Sequence, residues 1–251
     1  MTKIKDIIEY TETFAPLADA ADFDNCGLLV GDPSQQVTRV LVSLDITPQV
    51  VKEAQEISAE LILSHHPVIF SPLRSLSTDS VPYMLAKAGI SALCLHTNLD
   101  VAAEGGVNVC LAKAMKLKNI RMHPEAFICL GDLEEDLSTE EFAQHVKESL
   151  GCQAVEFTPS DRRIRQVAMC SGAGGDYYGT AVQMGADAFV TGEAKHHQLL
   201  EADATGVPMV AAGHFHTENV VVAPLAEKLG QQFPHVCFVP SKTGQSPSQY
   251  I

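Results

Sequence analysis

Apolar residues recur at helical spacing at Ile4, Ile7, Ile8 and Phe14, which predicts an amphipathic first helix that packs by one face. The run Val40-Leu-Val-Ser-Leu-Asp45 reads as a strand, and Thr47-Pro48 supplies a cap and a first-turn proline for a helix carrying Val50, Val51 and Ala54. The same alternation returns: Leu61 to His66 as a strand, Val81 to Ala88 as a helix stopped by Gly89, and Ile90 to Leu95 as a strand. Short apolar runs separated by helices predict a buried, largely parallel sheet. After Gly105-Gly106, Val107 to Leu117 has a helical pattern.

The rhythm breaks near His123-Pro124, which places an expected boundary between a first α/β domain, 1–124, and a second α/β unit, 125–251. In the second, Ala126 to Leu130 reads as a strand, and Ser138-Thr-Glu-Glu141 forms a capping box for a helix ending at Gly151. Strands are expected at Gln153 to Phe157 and Gln166 to Ser171. The part from about 187 to 251 reads as strand Asp187 to Val190, helix His196 to Ala202, strand Val207 to Ala212, helix Asn219 to Leu229 and strand His235 to Val239. Internal repeats are absent, and the Ser/Gln-rich stretch from Ser241 has the composition of a flexible tail.

With 46% hydrophobic and 19% charged residues, the composition is that of a folded globular protein. A formal net charge of -14 disfavours non-specific binding to nucleic acid or anionic lipid, while leaving room for cations that a sequence count omits. The seven cysteines lack a C-x-x-C pair and are odd in number, so they read as reduced, mostly buried thiols. No apolar run approaches the ~18 residues of a membrane span. The opening segment lacks a signal-peptide core, and a cytoplasmic location is expected.

Chemistry concentrates at three predicted strand ends, where parallel α/β sheets gather functional groups. The first delivers His65-His66, the second runs into His96-Thr-Asn-Leu-Asp100, and the third into His214-Phe-His-Thr-Glu218. Imidazoles and carboxylates together suit zinc, iron, manganese, cobalt or nickel. Adjacent histidines on an extended strand point to opposite faces, so His65 and His66 serve one site only if the chain turns there, as Pro67 allows. His214 and Glu218 share a face if their segment is helical, and a glutamate can bridge two ions. Five ligands exceed what one tetrahedral ion requires, so the economical reading is a pair of divalent ions.

Asp22-Phe-Asp-Asn-Cys-Gly-Leu-Leu-Val-Gly-Asp32, Ser64-His-His-Pro67, His96 through Asp100, Asp187-Ala-Phe-Val-Thr-Gly-Glu193 and Gly213-His-Phe-His-Thr-Glu218 resemble, in order, the motifs of the Nif-three-like family, whose members carry the label GTP cyclohydrolase I type 2 homolog. The resemblance spans nearly the whole chain. It implies two interlocking α/β domains, a metal site in the cleft at strand C-terminal ends, and a homo-oligomer, a ring-shaped hexamer. It also carries ligand roles onto His65, His66, Asp100, His214 and Glu218, with the last two supplied by the C-terminal part returning to the site. His96 falls where the family often has a pocket histidine. Phe23 stands where the family commonly has tryptophan, and His216 is an extra imidazole. His214 is the preferred ligand because it follows Gly213 and precedes Glu218 by four residues.

Ser171-Gly-Ala-Gly-Gly-Asp176 lacks a complete phosphate-loop pattern and reads first as a tight turn. Glu193 and His197 are pocket candidates, and His96 and Glu193 are the candidates for proton transfer. Two functions follow. One is a metal-dependent hydrolase acting on a small polar or phosphorylated molecule, with GTP cyclohydrolase-type activity as a candidate. The other is a metal-stabilised oligomeric interaction or regulatory protein without catalysis. Carboxylate-rich ligand sets, which leave positions for water, weigh toward the first.

Overall fold

A computed structural model of the protein describes residues 1–123, 126–249 and 251. The chain divides into two compact units, each built from two segments: Met1–Leu99 with Val222–Gln245, and Asp100–Val221 with Ser246–Ile251. The boundary expected at 124/125 falls on Pro124 and Glu125, which lie outside the described residues.

Unit 1 opens with α1 (Ile4–Thr11), which buries Ile4 and Ile7 completely. Then come β1 (Gly27–Val30), β2 (Arg39–Ser43), α2 (Pro48–Glu56), β3 (Leu61–Ser64), α3 (Val81–Ala88), β4 (Ser91–Cys94) and the short α4 (Thr97–Asp100). Helix α2 starts where expected: the Thr47 hydroxyl accepts the Val50 amide at 3.3 Å, with Pro48 in the first turn. Helix α3 ends in a left-handed Gly89 (φ 68°), a conformation that costs glycine nothing.

In unit 2 follow α5 (Val107–Ala114), β5 (Lys118–Met122), β6 (Cys129–Leu137), α6 (Thr139–Leu150), β7 (Glu156–Phe157), β8 (Ile164–Cys170), α7 (Tyr178–Gln183), β9 (Ala188–Thr191), α8 (His196–Thr205), β10 (Met209–Ala211) and α9 (His214–Glu218). The Ser138–Glu141 capping box of α6 is formed in both directions. The chain then rejoins unit 1 as α10 (Val222–Gln232) and β11 (Cys237–Pro240).

The unit 1 sheet has the order β1-β4-β3-β2-β11, and its four strands from β4 to β11 are parallel. Its strands β3 and β4 bury every side chain, as a sheet covered on both faces must. Each fully buried aliphatic side chain, such as Leu41, Ile62 or Leu63, contributes about 1.5–3 kcal/mol. The unit 2 sheet, β5-β6-β8-β9-β10-β7, is mixed: β8, β9 and β10 run parallel and the outer pairs antiparallel. Among the described residues no helix is long and apolar enough to cross a membrane.

Candidate metal centre

Two neighbouring parallel strands end alike. Ser43 and Ser64 pair in register at the C-terminal ends of β2 and β3. The Ser43 hydroxyl donates to the Asp45 carbonyl at 2.7 Å, and the Ser64 hydroxyl to the His66 carbonyl at 2.8 Å. These serine turns bend the chain out of the strand, which is how consecutive residues His65 and His66 escape the alternation of an extended backbone. Their ring centroids lie 5.1 Å apart, and His96, just past β4, stands 5.1 Å from His65 and 5.5 Å from His66.

Each of the three rings is held through Nδ1. His65 Nδ1 lies 2.9 Å from the Leu95 carbonyl oxygen, His66 Nδ1 lies 2.7 Å from Asp45 Oδ1, and His96 Nδ1 lies 2.8 Å from Asp24 Oδ1. A carbonyl oxygen only accepts, so Nδ1 of His65 carries its proton, and the ionised aspartates impose the same tautomer on the other two. Nε2 is then the atom that each ring could offer to an ion, and one ring nitrogen from each of the three lies within 4.8 Å of the others.

The side chain of Asp24 is wholly buried and accepts from His96, from the Thr97 amide (3.0 Å) and hydroxyl (2.5 Å) and from the Cys26 thiol (3.1 Å). Burial by itself pushes the Asp24 carboxyl up, but the hydrogen bonds from His96, Thr97 and Cys26 outweigh it and hold it well below the usual range. The Cys26 thiol is in turn lowered, chiefly by a hydrogen bond with Cys94 and against its burial.

Unit 2 carries an oxygen-rich set of its own. On α9, His214 Nε2 lies 3.0 Å from Glu218 Oε2, the one-turn relationship expected from their spacing, and Glu193 Oε1 lies 2.9 Å from His214 Nδ1. Asp100, the last residue of α4, offers a carboxylate oxygen within 4.8 Å of one from Glu218. The Cys170 thiol is pushed far up, first by burial and then by the negative charges of Asp100 and Glu218.

Close backbone approach makes this packing feasible. A Cβ on Gly172 (φ 59°) would sit 2.0 Å from Glu218 Oε1, and one on Gly192 would sit 2.5 Å from the Gly172 carbonyl. The Ser171 amide donates to Asn108 Oδ1 and the Gly172 amide to Thr217 Oγ1, so these amides serve packing. The glycine-rich segment turns at Gly172–Ala173 and then runs as a 3-10 helix, Gly174–Tyr177, into α7. Beside α9 lies a cavity of about 760 Å³ whose lining includes Glu156, Glu193, His214, Phe215 and His216. His197 is exposed, and among the described residues His216 joins no cluster of three ligand atoms.

Imidazole N and carboxylate O donors fit zinc, iron, manganese, cobalt or nickel, and among the described residues no cysteine belongs to these clusters. Asp24, Asp45 and Asn108 escaped the sequence reading as supporting residues. Asp45 carried a usable signal, an acid just past a predicted strand, and Asp24 lies inside one of the quoted motifs.

The profile of the family described as Duf34/NIF3 (NGG1p interacting factor 3) matches residues 2–247. The chain belongs to this family. Duf34/NIF3 relatives include a Clostridium perfringens protein named GTP cyclohydrolase 1 type 2 homolog, 32% identical over 262 residues, which cover 99% of this chain and 100% of that protein. A protein of the same name from Lactococcus lactis is 32% identical over 238 residues, covering 90% and 91%. The crystal structure of Staphylococcus aureus protein SA1388 superposes with a TM-score of 0.93 at 31% identity, covering 100% of this chain and 99% of that one. The mixed α/β fold with two sheets is thus the Duf34/NIF3 fold.

Proposed function

We infer that this Duf34/NIF3 protein binds two divalent metal ions through His65, His66, Asp100, His214 and Glu218 and uses them to hydrolyse a small polar or phosphorylated molecule. The observation that carries this reading is the common anchoring of His65, His66 and His96 by Nδ1, which presets three Nε2 atoms as ligands or proton carriers before any ion arrives. When bound, a divalent ion lowers the pKa of water from ~15.7 to about 7, and a second orients the reacting group.

The chain's own residues divide the remaining work. Asp45 and the Leu95 carbonyl fix the two paired histidines. Glu193 fixes His214 through Nδ1, which makes it an orienting group for that ligand. Glu218 has two carboxylate oxygens and would be the residue to hold both ions. His96, locked by Asp24, exchanges a proton at Nε2. The cavity beside His214 receives the substrate, and its two glutamates favour a molecule rich in N–H donors. GTP is one candidate, from the name its relatives bear.

The second reading is a metal-stabilised homo-oligomer, a hexamer, that binds protein partners; the family's description as an interacting factor favours it. Elemental analysis of protein dialysed without chelator should return close to two divalent ions per chain, and light scattering a hexamer. A screen of nucleotides, phosphoesters, amides and cyclic metabolites should reveal a turnover that depends on metal and fails in Glu218→Gln. At most one ion after reconstitution sinks the dinuclear reading, and metal-loaded protein that turns over nothing in the screen shifts the weight to the interaction protein.

A further inference from the structure

Two of the seven cysteines stand next to each other and next to the histidine cluster, in a relationship that the hydrolase reading does not use. On the antiparallel pair β1 and β4, Cys94 is the ladder partner of Gly27, so Cys26 sits one residue off register from it. Antiparallel partners have Cα atoms ~4.5–5.5 Å apart, and one residue along a strand adds about 3.3 Å, which places the two cysteine Cα atoms roughly 6 Å apart. That is inside the ~4.4–6.8 Å a disulfide spans. Gly27 has φ 103°, a twist that turns the chain between Cys26 and the strand, and the Cys94 thiol is close enough to Cys26 to be the main influence that lowers it. Each thiol is also tied to a histidine: Cys94 Sγ–H donates to the His65 carbonyl at 3.1 Å, and Cys26 Sγ–H donates at 3.1 Å to Asp24, which holds His96.

We propose that Cys26 and Cys94 are a peroxide-sensitive dithiol that closes reversibly to a disulfide beside the histidine cluster. Cys26 is half-buried and meets the oxidant, whereas Cys94 is buried and resolves the product. The Cys26 sulfur attacks one oxygen of a peroxide such as hydrogen peroxide, forming an S–O bond as the O–O bond breaks, and one water leaves. The Cys94 sulfur then attacks the Cys26 sulfur, forming S–S as S–O breaks, and a second water leaves. Two electrons and two protons pass from the thiols to the peroxide. Closure withdraws both S–H donors, one from the His65 peptide and one from the Asp24 carboxylate.

The test is intact-mass and peptide mapping of the reduced full chain treated with increasing hydrogen peroxide. The expected first product has lost two hydrogen atoms, links the peptides of Cys26 and Cys94, and returns to the starting mass with dithiothreitol. It forms before the exposed Cys237 is modified. Cys94→Ala should stop at a sulfenic acid on Cys26 that dimedone traps, and Cys26→Ser should leave Cys94 a thiol. Wild-type protein in which Cys26 proceeds to sulfinic acid without the link, or in which Cys237 reacts while the pair stays reduced, overturns the proposal without any variant. The readout involves no turnover, so it stands or falls apart from the hydrolase reading.

Discussion

His96 Nδ1 lies 2.8 Å from Oδ1 of Asp24, a carboxylate that precedes it by 72 residues and whose side chain is shut off from solvent. Asp24→Asn keeps the shape and gives up the charge that selects the Nδ1–H tautomer. General acid–base catalysis is worth about 10²–10⁴-fold in rate, and an orienting partner acts through the group it holds. Metal-dependent turnover should therefore fall in Asp24→Asn while zinc affinity, read by competition with a chromogenic chelator, stays that of the wild type; unchanged turnover would mean His96 moves no proton.

Glu218→Gln should retain the fold and lose metal. The bridging role needs two anionic oxygens, so elemental analysis is expected to fall from close to two ions to one or fewer. Circular dichroism should stay that of the wild type. A variant that keeps two ions would remove Glu218 from the bridge.

Gly172→Ala introduces a methyl group 2.0 Å from Glu218 Oε1 at a backbone φ of 59°. The clash and the left-handed strain act together and cost about 1–3 kcal/mol. We expect a lower melting temperature together with reduced metal content. Gly185→Ala is the control, with similar strain (φ 80°) and nothing within 4 Å, and should lower only the melting temperature.

Acid sensitivity should appear at Glu53. Burial raises its carboxyl, but hydrogen bonds from Ser241, Thr243 and the Lys242 amide outweigh burial and hold it below its ordinary value of 4.5. A lowered folded-state value means that this clamp stabilises the fold fully above pH 4.5, the unfolded value, and is lost as pH falls through the folded one. Glu53→Ala should cost about 1–3 kcal/mol at neutral pH. Its unfolding midpoint should depend less on pH in the acid range than that of the wild type.

Much of unit 1 was legible because its strands are continuous apolar runs and its helices carry explicit caps: Thr47-Pro48 and Gly89 mark ends the structure keeps. Legibility failed where pairing, and not local composition, makes the strand. β5, Lys-Asn-Ile-Arg-Met, is mostly exposed and exists by pairing with β6. Most of β6 itself, Gly131 to Leu137, is too acidic to read as a strand, so the expected strand at Ala126 to Leu130 overlaps it only at Cys129 and Leu130. β1 was hidden among glycines inside a motif. At the site the histidines and carboxylates announced themselves, while the anchors of their Nδ1 atoms are set by tertiary contact: the Leu95 carbonyl that holds His65 belongs to a backbone group that no side-chain pattern reveals.

Strand β11 completes the unit 1 sheet by pairing with β2 along its whole length, yet the entire first segment of unit 2 is translated between them. Until residues 222–245 leave the ribosome, the edge of β2 has no neighbour on that side. A nascent chain arrested at Val221 would therefore present an open parallel edge, the kind of template that other chains join. Folding of this sheet must wait for contacts of very long sequence separation, and such closure is slow. The unit 2 sheet, by contrast, lies within one uninterrupted stretch and waits for no such late strand.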